Sequence, residues 1–148
     1  MIVRIAAVAA ALSVATPVLA ASLNPADPGD RLVIASHQCN EGMNATNFAA
    51  SAIPACDEAH RRATQALTAS PPLTAVQRNK AQVARAMTTI SVLSSYAKSD
   101  GVISRRICAR LAALKGMLDA YRAGLTPDWD GFHAKLRATH ADMAGKCR

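Results

Sequence analysis

Residues 102–123, VISRRICARLAALKGMLDAYRA, decide the fold class. Ile103, Ile107, Leu111, Leu114, Leu118 and Tyr121 recur at intervals of four and three over five turns, which places them on one stripe of an α-helix. Gly124 stops the helix, and Thr126-Pro127 supplies a cap and a first-turn proline for the next. There Trp129, Phe132, Leu136, His140, Met143 and Cys147 again share one face.

Working back toward the N-terminus, a helix is predicted from Thr74 to about Lys98, with Val76, Val83, Met87, Ile90 and Ala97 facing one way. Before it, Ile53, Cys56, His60, Ala63 and Leu67 form the stripe of a helix near 54–69, ended by Ser70-Pro71-Pro72. A short helix is expected over 45–52. Residues 21–40, with Pro25, Pro28 and Gly29, read as an extended lead-in that orders only near Cys39. The expectation is an all-α fold: a small antiparallel bundle of about four main helices in one domain, residues 41–148, stabilised by two disulfides.

Composition agrees with helices. Of 148 residues 51% are apolar, but alanine supplies 33 of them and Trp, Tyr and Phe together only 5, too few to cover the pleated faces of a β-sandwich. Residues 21–148 hold 22 Leu, Ile, Val and Phe, a thin core that cross-links would reinforce.

Residues 1–20 have the form of an export signal. Arg4 is followed by an apolar run from Ile5 to Val14, by Pro17, and by Val18-Leu19-Ala20, so cleavage after Ala20 is expected. No other apolar run approaches the length that crosses a bilayer, and a periplasmic or secreted protein follows. In an oxidising compartment Cys39, Cys56, Cys108 and Cys147 are expected as two disulfides.

Helix geometry favours Cys39–Cys56 with Cys108–Cys147, because a fold-back near residue 125 brings Cys108 toward Cys147, and Pro54 offers the break that Cys39–Cys56 needs. The rival set is Cys39–Cys147 with Cys56–Cys108. There is no Cys-x-x-Cys, and hence no thioredoxin-like or covalent haem motif.

The mature chain carries 16 Lys and Arg against 10 Asp and Glu. These cations are dispersed rather than interleaved with aromatics, so no nucleic-acid partner is expected. Phosphate-loop, His-Glu-x-x-His, Gly-x-Ser-x-Gly and calcium-loop patterns are absent from the sequence. Asp128, Asp130 and His133 read as helix capping rather than an acid-base group, and His37 as a loop residue.

His60 and His140 are the ligand-binding candidates. With Cys56 or Cys147 they have ligand chemistry for zinc or copper, or as a pair they could clamp a haem, although disulfide-bonded cysteines cannot ligate as thiolates. No metal or cofactor is expected. A small-ligand or metal carrier built on these histidines is the alternative to the main expectation, a non-catalytic binding protein acting on a cell-envelope protein or peptide.

Residues 39 to about 100 also resemble the Cys-containing helical hairpins of secreted bacterial tetratricopeptide-repeat proteins. Cys39, Ala52-Ile53-Pro54-Ala55-Cys56, Ala59, Ala63, Ala66 and Pro71 carry the resemblance. It implies a scaffold that binds proteins or peptides, with no catalytic residues to carry over.

Overall fold

The computed structural model describes residues 23–147; the export signal expected over 1–20 lies outside them. Five helices pack together, and no strand occurs among the described residues. They are α1 (Pro28–Ala45), α2 (Ile53–Ala66), α3 (Ala75–Asp100), α4 (Arg105–Asp119) and α5 (Pro127–Ala144), with one 3-10 turn at Ala50–Ala52 before α2. The expected all-α class and both favoured disulfides are present, Cys39–Cys56 with Cα atoms 4.8 Å apart and Cys108–Cys147 with 5.7 Å.

The lead-in expected over 21–40 is instead most of α1. Asp27 is its N-cap, accepting from Asp30 N at 2.9 Å, and Pro28 occupies the first turn, where a missing N–H costs nothing. Asp-Pro here starts a helix, as Thr126-Pro127 does for α5. His37, expected in a loop, lies within α1, its Nε2 3.2 Å from Glu41 one turn on.

The helix expected over 45–52 is reduced to the 3-10 turn. Asn47 and Phe48, at φ 52° and 60°, reverse the chain in the left-handed region. Their carbonyls accept from α3, Phe48 O from Ser95 Oγ at 2.8 Å and Asn47 O from Lys98 Nζ. Pro54 therefore sits in the first turn of α2, after the reversal rather than at it.

Polar contacts between α1 and α3 keep a near-constant offset of 50 or 51 residues. Asp27 meets Gln77, Asp30 meets Lys80, and Asn40 meets Ser91, so the two helices run parallel. By contrast α4 and α5 run antiparallel: His140 Nε2 donates to Leu111 O at 3.0 Å and His133 Nε2 to Leu118 O at 2.8 Å.

Helix α3 is the centre, packed by all four others. The expected single apolar face was too narrow a reading. Ser91, Ser94, Ser95 and Thr88 are buried together with Ile90, Val92 and Leu93, whereas Val76 is 38% exposed. The hydroxyls tolerate burial because they bond locally or to α1 and its loop; Ser94 Oγ donates to Ile90 O at 2.9 Å.

The α4–α5 connection is read by a buried amide. Asn79 accepts from Arg122 N at 2.9 Å and donates to Arg122 O at 2.7 Å and Thr126 Oγ1 at 3.2 Å. Replacing it strands that half-buried backbone pair. Asn79→Ala is expected to cost about 2–3 kcal/mol and to lower Tm by roughly 10 °C in thermal unfolding followed by circular dichroism; a loss under about 2 °C would contradict this role.

Candidate functional site

A concave site forms where two helices flank a third without touching closely. Helices α2 and α4 both pack on α3, and a cleft of about 210 Å³ lies between them. Thr88, Thr89, Val92 and Leu93 of α3 make its floor. One wall is Cys56, Asp57 and His60 of α2; the other is Arg110, Ala113 and Met117 of α4.

Thr89 joins the walls at floor level. Its Oγ1 is 3.4 Å from His60 Nδ1 on one side and 3.7 Å from Met117 Sδ on the other. Neither threonine is poised as a nucleophile. Thr88 Oγ1 donates to Ala84 O at 3.0 Å or Arg85 O at 2.9 Å, and Thr89 Oγ1 to Arg85 O at 2.8 Å, so both protons are committed to the helix backbone.

His60 Nδ1 consequently faces hydroxyl lone pairs, 3.3 Å from Thr88 Oγ1, and the Nδ1–H tautomer satisfies the contact. Burial of the ring, followed by the Arg85 charge, holds His60 below the usual imidazole pKa, against weaker support for the cation from the Arg85 backbone and Asp57. It is neutral at pH 7.

His140 lies elsewhere. With Lys115, Asp119 and Arg137 it lines a second cleft, of about 340 Å³, between α4 and α5, and no residue lines both clefts. The structure thus does not bring His60 and His140 to a common point. Cys56 and Cys147, each one partner of a disulfide, offer no thiolate beside either histidine. Among the described residues no three His, Cys, Asp or Glu side chains group closely enough to hold a metal.

Asp130 and His133 belong to the α4–α5 clasp. Asp130 accepts from Tyr121 Oη at 2.7 Å and Gly124 N at 2.9 Å, and these bonds, Tyr121's first, hold its carboxyl below the usual carboxylate range. The His133 ring stacks on Tyr121 with centroids 4.1 Å apart. Burial first, then Asp130, pushes the Tyr121 phenol up to about 12. Asp128 is an exposed residue in the first turn of α5.

No sequence spacing signals the aromatic residue one turn beyond the α2–α4 cleft. Tyr96 continues the cleft face of α3, and the Arg106 and Arg110 guanidinium groups lie 4.1 and 5.2 Å from its ring centroid. Arg106 also grips Asp100 across the α3–α4 turn, Nη2–Oδ1 2.5 Å and Nε–Oδ2 2.9 Å.

No protein-family model, curated protein or solved structure matches this chain.

The depressed His60 pKa has a direct check. In a proton NMR titration the His60 ring is expected to show a midpoint below 6.5 and the Nδ1–H tautomer. A folded-state pKa lowered in this way disfavours the protonated ring, so stability present at neutral pH falls as pH drops below the unfolded-state value. A midpoint at or above 6.5 would contradict the buried placement.

Proposed function

We propose that this is an exported, non-catalytic helical binding protein of the periplasm or the external medium, whose partner is a protein or peptide of the cell envelope. The observation that carries this reading is the cleft over α3. It is concave, framed by three helices, floored by Val92 and Leu93, and edged by polar groups that could orient a partner.

Three further points support it. The four cysteines are paired, as in an oxidising compartment outside the cytoplasm. No described helix is long and apolar enough to cross a membrane. The committed hydroxyl protons of Thr88 and Thr89 argue against nucleophilic chemistry in the cleft, and the helical-hairpin resemblance of residues 39–100 points to the same class of function.

A photo-cross-linking residue at exposed, cleft-lining Ala113 tests the proposal in cells exporting the protein through its own signal. The expected result is a mature chain beginning at Ala21 that forms one discrete adduct with an envelope protein. The same probe at Arg62, exposed on α2 and outside the cleft lining, should give none. Absence of an adduct at Ala113, or equal adducts at both positions, would overturn it.

A further inference from the structure

On α3, Arg85, Thr88, Thr89, Val92 and Tyr96 follow one another at intervals of three, one, three and four, so they share one face. Eleven residues separate Arg85 from Tyr96, about 16 Å along the helix axis. The cleft occupies the middle of this stripe, from Thr88 to Leu93, with Arg110 in its wall; Arg85 lies one turn before the lined stretch, and Tyr96, with Arg110 over its ring, one turn after it.

Arg85 differs from the ion-paired cations of the surface. Arg61, Arg62, Lys115, Arg137 and Lys146 each reach a carboxylate on a neighbouring turn or helix. Arg85 reaches none among the described residues: Nη1 donates to Gln82 Oε1 at 3.1 Å, and Nε is buried without any partner. A half-buried guanidinium lacking a counter-ion has lost water contacts without replacing them, and a carboxylate restores them with charge-assisted hydrogen bonds. Arg110 likewise has no carboxylate partner among the described residues, and Asp57 is the one acid in the cleft lining.

We infer that the cleft takes an acidic, amphipathic segment of a protein partner, with an apolar side chain on Val92, Leu93 and Met117 and carboxylates toward Arg85 and Arg110. This deepens the binding reading and rests on it. About 11 helical residues, or about 5 extended ones, span the distance between the two arginines.

The alternatives fit the cleft less well. Its volume of about 210 Å³ is below the range of drug-sized ligand pockets. Base stacking has no platform, because arginines already lie over the Tyr96 ring. Insertion into a lipid surface calls for a contiguous face of large apolar residues, whereas the exposed ones are Val76 and Leu125 near one end of α3 and Val102 beyond the other.

The test is selection of a random dodecapeptide phage library on the full, disulfide-intact mature protein, followed by anisotropy titration of the most enriched peptide. Enriched sequences are expected to carry paired Asp or Glu flanking an apolar residue. Arg85→Gln and Arg110→Gln should each weaken binding by roughly tenfold or more, as should Gln in place of the peptide's acids. Lys135→Gln, an equal charge loss on exposed α5, should change affinity by less than about twofold. Circular dichroism establishes that each variant is folded.

Enrichment of neutral or basic peptides, equal effects of all three variants, or no enrichment at all would overturn the inference. Those outcomes leave the broader reading to the Ala113 cross-link, so the two can fail separately.

Discussion

Everything in this structure depends on burying one helix from every side. Helix α3 receives α1 and α2 on one flank and α4 and α5 on the other, and the stretch Ile90 to Ser95 is buried all the way round. A helix enclosed in this way usually reads as uniformly apolar. Here Ala81, Ala84, Ala86, Ser91, Ser94 and Ser95 do that work instead, because small side chains let neighbouring backbones approach and the serine hydroxyls find oxygen acceptors. The polar positions that do reach other elements set register: Asn40 with Ser91 aligns α1, and Asn79 with Arg122 aligns the α4–α5 turn.

The disulfides brace the two flanks and leave the centre to packing. Cys39–Cys56 closes a 17-residue separation between α1 and α2, and Cys108–Cys147 a 39-residue separation between α4 and the end of α5. Loop-closure entropy assigns them about 3 and about 4 kcal/mol. That is a large share of the stability of a domain this size, and it compensates for a core short of large apolar residues. Neither bond joins α2 to α4. The gap between those helices over α3 is the cleft that carries His60, so the staples leave this concave face unbridged.

How much was legible in the sequence follows from which signals are local. The stripe Ile107, Leu111, Leu114, Leu118 and the face Trp129, Phe132, Leu136, Met143 are period-3.6 patterns of large residues, and both are buried as read. Helix length and reversal favoured the cysteine pairing that the structure has, although the reversal lies at Asn47-Phe48 rather than at Pro54. Helix α1 was hidden because Asp30, Ser36 and Asn40 interrupt its apolar pattern; these polar residues are buried against partners in α3 or on their own helix, information that is non-local. Pro28 was read as a breaker although Asp27 before it makes a capping pair. At the candidate site, His60 was found through its spacing from Cys56, but its relation to His140 was not. Arg106 and Arg110 meet Tyr96 only through the α3–α4 turn, and no sequence spacing reports that.

The central claim is that α3 is the stability centre on which two stapled flanks depend. Native-state hydrogen exchange measures this residue by residue. Amides 88–95 of α3 are expected to exchange only through global unfolding, whereas the amides of α2 open at lower free energy, with the disulfides intact. Exchange from the middle of α3 that is as fast as exchange from α2 would contradict the account.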